Sequence, residues 1–315
     1  MKKYVIMGAL SRLRVSVPVN RQGEPIMSDY VIITDTSADI PATVLDKGQI
    51  SLIPMVYQLN GEECPHRDPG SWDSKAFYDK LRAGGTGSTS QISPATYTDY
   101  FEPFLKDGKD ILYISLSGGL TSTWQSSHIA AADLMEEYPE RKISCVDSLA
   151  ATGGQGILVI LAAENQEKGM SLEENTAWLE ENRLHICHWF TVDDLDFLKR
   201  GGRISPTVAW IGGKLKIKPI LRIAENGTLA IPEKVRGSKV AMNTIVSKYI
   251  SSGLNEEHPY VFICHGDAAE QAEKEKAAIL ESVPQAKVIV LPMSPIIGIH
   301  TGPGVQAVIY FGNNR

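Results

Sequence analysis

The feature of the sequence that most constrains its fold is a repeated pairing of a short apolar run with a helical segment. Three such runs occur in the first half of the chain: Tyr30–Thr34, Asp110–Ser115 and Lys142–Ser148. Each precedes a helix, the first starting at Pro41, the second covering about 122–137 and the third ending near Lys168. Strands that are apolar throughout and alternate with helices predict a parallel sheet with both faces covered.

The pattern changes after the helix that ends near Arg183. The segments that follow read as a strand at His185–Val192, a hairpin around Asn226-Gly227, and strands at Tyr260–Cys264, Lys287–Leu291 and Ala307–Phe311. We therefore predict an α/β fold of two domains, with a ligand between them. The parallel α/β/α domain covers residues 28–177, the α+β domain covers 178–315, and residues 1–26 are an extension or alternative start before Met27.

Composition excludes several classes of function. The 315 residues are 43% hydrophobic and carry a net charge of −6, so the overall charge gives no reason to expect binding to nucleic acid. The four cysteines form no Cys-x-x-Cys pair, which argues against a zinc site and favours reduced thiols in the cytoplasm. The longest apolar run, Ile157–Ala163, is far shorter than a membrane span requires.

Polar residues follow the predicted parallel strands where each strand ends. They are Asp35-Thr36-Ser37, Ser115–Gly119 and Asp147-Ser148. Each cluster alone is explained by helix caps and turns. Three clusters at one edge favour a pocket, because ligands of open α/β sheets bind beyond the carboxyl ends of the strands.

Three polar segments are suited to holding a small anionic group: Thr89–Ser93, Ser117–Ser126 and His300–Gly304. The second follows a strand and opens a helix, so backbone N–H groups and the positive helix end face an anion there. It matches neither a Walker loop nor Gly-x-Gly-x-x-Gly, which gives nucleotide binding little support. His300 precedes a Gly-Pro-Gly turn whose backbone can approach a ligand closely.

Other interpretations stay open at this point. A serine hydrolase would use Ser90 or Ser122 as nucleophile and His265 or His300 as base, although no Gly-x-Ser-x-Gly elbow is present. A phosphatase would use Asp35, but the next aspartate, Asp39, comes four residues later instead of two. A structural or transcriptional interaction module with an incidental pocket is a third interpretation.

Basic residues gather in the second half of the chain. Lys199, Arg200 and Arg203 surround a predicted helix end at Gly201, and Lys234, Arg236 and Lys239 follow the hairpin. A solvated helix end and a docking surface for an acidic partner explain them equally well.

These residues together resemble the DegV family. The resemblance runs in order from about Val31 to Phe311 and rests on segments at Ile33–Ile40, Thr89–Ser93, Ser115–Ser126, Val146–Ser148, Leu198–Ile204 and His300–Gly304. It implies a bacterial two-domain protein that binds a long-chain fatty acid. It also implies that the protein hands this acid to a separate kinase, which phosphorylates the carboxyl group with ATP, and catalyses nothing itself.

The resemblance further implies the roles of individual residues. The carboxylate ligands are the hydroxyls of Thr89, Ser90, Ser93, Thr121 and Ser122 together with the imidazole of His300. Thr121 and Ser122 stand where the family pattern has Ser-Gly, so the choice between them is open. Arg203 and Arg236 resemble the arginines that engage the kinase.

Physical chemistry is compatible with this assignment. A buried carboxylate must be hydrogen-bonded, and hydroxyls with one imidazole hold it without the fixed ion pair that an arginine makes. The tail then lies in an apolar tunnel between the domains. The resemblance implies a bound fatty acid and no cofactor or metal, and it leaves room for peripheral or transient contact with a membrane. The alternative is a serine-dependent hydrolase of acyl esters or thioesters.

Overall fold

The structure is a computed structural model that describes residues 30–45, 48–67, 72–205, 217–252, 254–313 and 315. The prediction for residues 1–26 lies outside these ranges. The strands are β1 Tyr30–Asp35, β2 Ile50–Ile53, β3 Met55–Leu59, β4 Glu62–His66, β5 Gly87–Thr89, β6 Asp110–Ser115, β7 Ile143–Asp147, β8 Ile186–Thr191, β9 Ile217–Ile223, β10 Leu229–Arg236, β11 Tyr260–His265, β12 Lys287–Pro292 and β13 Gln306–Phe311. The helices are α1 Ala42–Leu45, α2 Ser74–Arg82, α3 Pro94–Lys106, α4 Thr123–Glu137, α5 Gly153–Glu167, α6 Leu172–Asn182, α7 Asp196–Arg200, α8 Ser238–Ser252, α9 Ala269–Ser282 and α10 Pro295–Thr301.

The first sheet is parallel and has the order β2-β1-β6-β7. Its strands are apolar on both faces because helices cover both. Ile33 and Tyr113 belong to a core with α3 and α4, whereas Ile32, Leu112 and Ile114 belong to a core with α5 and α6. The predicted α/β/α layers are confirmed.

The second large sheet is mixed and has the order β10-β9-β8-β13-β11-β12. β11 and β12 are parallel, and the remaining neighbours are antiparallel. One face packs on α8 and α9 through a core that includes Ala241, Ile245 and Ile279. The other face packs on α5.

Helix α5 therefore lies between the two large sheets. It contacts β1 and β6 of the first sheet and β8, β11 and β13 of the second. The whole run from Ile157 to Ala163 is buried, as expected of a helix that is hydrophobic on every side. The apolar run that is too short for a membrane span is the centre of the protein core.

A small antiparallel sheet, β4-β3-β5, and the helices α2, α3 and α10 were not predicted. The strands have only three to five residues, and β4 has mostly exposed or half-buried side chains, so its hydrophobic pattern is weak. This sheet matters for function because β5 ends at Thr89.

The fold class predicted from the sequence is confirmed, with two large sheets built from consecutive parts of the chain. The domain boundary proposed after residue 177 falls inside α6, which packs on β6 and β7. The position of that boundary stays a prediction.

Candidate ligand-binding site

A cavity of about 500 Å³ lies between the two large sheets. Its walls are formed by β8, β9, β10 and β13, by the residues that precede α5, and by α10. Most of this wall is apolar and includes Leu116, Phe190, Leu198, Ile223, Ile297 and Ile309. The volume and the apolar wall suit a hydrocarbon ligand.

One end of the cavity is polar. Thr89 and Ser90 reach it from the end of β5, Thr121 and Ser122 from the start of α4, and His300 from the last turn of α10. The three polar segments singled out in the sequence therefore meet at one cavity, although more than two hundred residues separate the first from the last.

A hydrogen bond joins two of these side chains. Thr89 Oγ1 lies 2.8 Å from His300 Nε2. The other side of the ring packs on Gly201, where an added Cβ would lie 2.4 Å from His300 Nδ1. Gly201 is therefore required by close contact with the imidazole, in addition to ending α7.

Burial sets the protonation state of His300. It lowers the pKa of this imidazole to about 3, and the nearby Arg203 cation acts in the same direction. The ring is therefore neutral at neutral pH, with one nitrogen that donates a hydrogen bond and one that accepts.

Arg203 also lines the cavity, which the sequence interpretation did not foresee. Its Nε donates to the Leu120 carbonyl at 3.2 Å, and its Nη1 donates to the Gly201 carbonyl. Burial lowers the pKa of the guanidinium. A half-buried cation with backbone partners is suited to an anion in the cavity. The role of Arg203 in docking a kinase stays a prediction.

Thr121 and Ser122 have different hydrogen-bonding surroundings. Thr121 Oγ1 accepts from the Thr123 amide at 3.3 Å and lies 2.9 Å from Thr123 Oγ1, so it holds the first turn of α4. Ser122 occupies the N-cap position, yet its exposed side chain makes no cap hydrogen bond. These contacts favour Ser122 as a hydroxyl available to a ligand, and the choice itself stays a prediction.

The Ser117-Gly118-Gly119 loop follows β6 of the first sheet and hydrogen-bonds to the second large sheet beside this polar end. Ser117 Oγ donates to the Gly227 carbonyl at 2.8 Å, and the Gly118 amide donates to Asp147 Oδ1 at 3.0 Å. A Cβ at Gly119 would lie 2.5 Å from the Gly227 carbonyl carbon. Glycine is needed there because the hairpin of the second sheet touches the loop backbone.

The other strand-end residues hold the fold together. Asp35 is fully buried and accepts from the Ser37 amide at 3.0 Å and from the Tyr113 hydroxyl at 2.8 Å. Asp39 is also buried and accepts from the Ser294 amide at 3.0 Å. Neither carboxyl lines the cavity, so the phosphatase interpretation gains no support.

Two predicted site residues lie away from the cavity wall. Ser93 is the N-cap of α3, where its hydroxyl accepts from the Thr96 amide at 3.1 Å. Arg236 is exposed at the end of β10. The roles of Ser93 at the carboxylate and of Arg236 in docking stay predictions. The capping bond already accounts for a serine at position 93.

The histidines do not form the predicted hydrolase pairs within the part of the chain that the structure describes. His300 bonds to Thr89 and not to Ser90 or Ser122, while His265 accepts from the Ala268 amide at 3.2 Å. A nucleophilic serine needs a base within hydrogen-bond reach.

Sequence reasoning missed α10 itself. Ser294 followed by Pro295 is a typical helix start, and Gly302 with a φ of 75° is a typical stop, so the signal was present. The apolar wall residues could not be identified from the sequence, because the packing of the sheets decides which apolar side chains face the cavity.

Over the ranges that the structure describes, no cluster of histidine, cysteine or acidic side chains is arranged to hold a metal ion. In the same ranges, no helix is long and apolar enough to cross a membrane.

Comparison with known proteins identifies the family of this chain. The family model of the uncharacterised DegV proteins matches residues 29–313. The chain belongs to the DegV family. A DegV domain-containing protein of Clostridium perfringens is 38% identical over 289 residues, which cover 92% of this chain and 99% of the relative.

Solved DegV-family structures have the same two-domain fold. A fatty acid binding DegV family protein from Streptococcus agalactiae superposes with a TM-score of 0.80 and 26% identity, covering 91% of this chain and 100% of its own. The fatty acid kinase B3 protein of Streptococcus pneumoniae, solved with linoleic acid, superposes with a TM-score of 0.78 over 90% of this chain and 99% of its own. At 22% identity, the second likeness shows the fold alone.

Proposed function

We propose that this DegV-family protein binds a long-chain fatty acid and presents its carboxylate to a partner kinase for ATP-dependent formation of an acyl phosphate. The protein itself catalyses nothing. One observation carries the proposal: an apolar cavity between the sheets has a polar end, where hydroxyls, His300 and Arg203 meet. Its likeness to the fatty acid binding DegV family protein from Streptococcus agalactiae supports the same ligand.

The tail supplies most of the affinity. Each CH₂ group buried against the apolar wall contributes roughly 0.8 kcal/mol before the costs of association. A long chain can therefore bind tightly even if the head group contributes little.

The polar end supplies orientation. If His300 Nε2 donates to Thr89 Oγ1, the hydroxyl proton of Thr89 is free to donate to a carboxylate oxygen. Ser90 and Ser122 can donate to the remaining lone pairs, since both line the same end. This arrangement holds the carboxylate at the polar end of the cavity.

The two arginines have different roles in this proposal. Arg203 lies beside His300 and balances the negative charge of the head group, so the carboxylate is not held by neutral groups alone. Arg236 is exposed and remains the candidate for contact with the kinase. The four cysteines form no disulfide in the described part of the chain, which suits a reducing compartment, and we place the protein in the cytoplasm.

The test combines a binding assay with a phosphorylation assay. The delipidated protein is titrated with palmitic acid, and the loaded protein is then incubated with ATP and a purified fatty acid kinase ATP-binding subunit. We expect stoichiometric binding and formation of acyl phosphate, with Arg236→Ala reducing phosphate transfer but not lipid affinity.

The hydrolase alternative predicts a different result. A fluorophosphonate probe would label Ser90 or Ser122 in a manner that depends on His300, and acyl esters would be turned over. Labelling and turnover together would contradict the proposal, as would a protein that binds no fatty acid.

A further inference from the structure

The strands of the second sheet show which part of the cavity is far from the head group. β8 leads into α7, which packs on α10, and β13 starts after the His300–Gly304 segment, so the polar end lies where β8 ends and β13 begins. Phe190 on β8 pairs with Ala307 on β13. His188 and Ile309 form the next inward-facing pair, about 7 Å further from that end. All four side chains line the cavity.

The cavity closes beyond this second pair. The next inward-facing residues of the two strands, Ile186 and Phe311, belong to the buried core but not to the cavity wall that the described residues form. The first turn of α5 packs on the sheet at this level. A Cβ added at Gly154 would lie 2.1 Å from His188 Nε2 and 3.0 Å from Ile186 Cγ2. The helix therefore fills the space behind the His188 ring.

A second glycine brings the same helical turn onto another strand. A Cβ added at Gly153 would lie 2.7 Å from Cys264 Sγ and 2.9 Å from Phe262 Cδ2, both on β11. β13, which carries Ile309, lies between β8 and β11. The start of α5 thus spans three strands and covers this end of the cavity.

Backbone groups hold the His188 ring in place. Its Nε2 lies 3.2 Å from the Ala151 carbonyl oxygen and 3.3 Å from the Ala151 amide nitrogen, and its Nδ1 is turned to the Ile186 backbone. Burial lowers the pKa of the imidazole to about 3, and Arg315 acts in the same direction, so the ring is neutral. Because both nitrogens face backbone, the part of the side chain that lines the cavity is carbon. A carbon surface suits the end of a hydrocarbon.

We infer that His188, backed by the first turn of α5, closes the tail end of the cavity and sets the longest fatty acid that the protein binds well. A chain held by its carboxylate at the polar end cannot extend past a ring that has a helix directly behind it. Chains up to the limit gain affinity with each buried CH₂ group, whereas longer chains must fold back on themselves. The inference rests on the proposed function, since the carboxylate must occupy the polar end.

A chain-length series on the wild-type protein is the first test. The even-numbered saturated acids from decanoic to eicosanoic acid compete with one fluorescent fatty acid for the delipidated protein. We expect the affinity to rise roughly fourfold with each added CH₂ group up to one acid and to fall for longer acids. An affinity that rises through the whole series would contradict a closed tail end.

Two substitutions at the same position should move the optimum in opposite directions. His188→Ala removes the ring and opens space up to α5, so the optimum should move to a longer acid. His188→Phe places a larger ring where the helix leaves no room behind it, so the optimum should move to a shorter acid. Both variants lose the same contact with the Ala151 backbone. Opposite shifts therefore report the size of the side chain and not the lost contact.

Ile223→Val is the matched control for the apolar wall. Ile223 lines the cavity from β9 and packs with Leu116 and Ala151, away from the pair that closes the tail end. The shorter side chain should lower the affinity for every acid by the same factor and leave the optimum at the same acid.

The outcomes separate the inference from the proposed function. An optimum that stays at the same acid in both His188 variants, or moves in the same direction in both, overturns the inference and leaves the proposed function standing. Thermal unfolding identifies a variant that does not fold, in which case the shift in the other variant decides. A wild-type protein that binds none of these acids overturns the proposed function.

Discussion

The hydrogen bond between Thr89 and His300 is the most informative contact at the scale of single residues. It joins β5 to α10 at the polar end of the cavity. It also orients the imidazole, whose neutral state follows from burial. The head-group geometry therefore depends on both side chains.

Thr89→Val tests this contact because it removes the hydroxyl at nearly constant shape. His300 then loses the partner of its Nε2, and we expect the free energy of unfolding to fall by roughly 1–3 kcal/mol. Affinity for a fatty acid should fall about tenfold, since a charge-assisted hydrogen bond to the carboxylate is lost. Denaturant unfolding and ligand titration measure the two effects.

Ser93→Ala is the matched control for a hydroxyl in the same motif. It removes the N-cap of α3, so we expect about 1 kcal/mol less stability with no change in ligand affinity. A large loss of affinity in this variant would place Ser93 at the carboxylate after all.

Sequence reasoning found the hydroxyls and His300 because short polar segments with glycine are recognisable one segment at a time. It did not find the buried His188, which lines the cavity from a strand of mostly apolar residues. It also did not foresee that Arg203 would face the cavity, since burial of a long side chain depends on the packing around it.

At the scale of elements, the turn after α7 controls the position of His300. Gly201 has helical backbone angles, so alanine is allowed there by conformation but collides with the imidazole. Gly202 has a φ of 73° and open space around it. Alanine at position 201 therefore tests a steric effect on the site, whereas alanine at position 202 tests backbone strain alone.

Gly201→Ala should displace the ring and weaken fatty acid binding. Gly202→Ala should cost about 1 kcal/mol of stability through the left-handed conformation and leave the affinity unchanged. Both are measured by ligand titration and thermal unfolding. Equal affinities in the two variants would show that His300 does not need Gly201.

Helix α9 contains a buried acid that should dominate one part of the pH dependence. Glu275 is buried, neither carboxyl oxygen has a hydrogen-bond partner within the described residues, and burial raises its pKa to about 8. The folded protein keeps this proton to a higher pH than the unfolded chain does. Stability from this group is therefore present below about pH 4.5, the ordinary value, and is lost as the pH rises toward 8.

Glu275→Gln should flatten the fall in stability between pH 5 and 8, a window that follows from these pKa values. At pH 8 we expect the variant to be more stable than the wild type by roughly 1–3 kcal/mol. Urea unfolding across this pH range measures the change. Glu273→Gln, on the same helix but exposed, is the control and should leave the slope as it is in the wild type.

Elements with strong periodicity were predicted to within a few residues, as β1, β6, β7 and α4 show. The small β4-β3-β5 sheet was missed because its strands are short and half-exposed. Helix α10 was interpreted as a turn, since its seven residues give too little pattern to outweigh the Gly-Pro-Gly that follows.

At the scale of the whole molecule, α5 makes the two large sheets depend on each other. It packs on both sheets, and the Ser117 loop bonds to the hairpin of the second sheet. We expect the two domains to unfold in one cooperative transition, with the same midpoint by far-ultraviolet and near-ultraviolet circular dichroism. A bound fatty acid should raise that midpoint. Two separate transitions would show that α5 does not couple the domains.

The most direct test of the account is mass spectrometry of the organic extract of the purified protein, compared with its intact native mass. The account predicts one long-chain fatty acid per protein molecule, and the native mass should exceed the sequence mass by that of the extracted acid. A protein that is purified empty, and whose melting temperature does not respond to added fatty acids, would contradict the central claim.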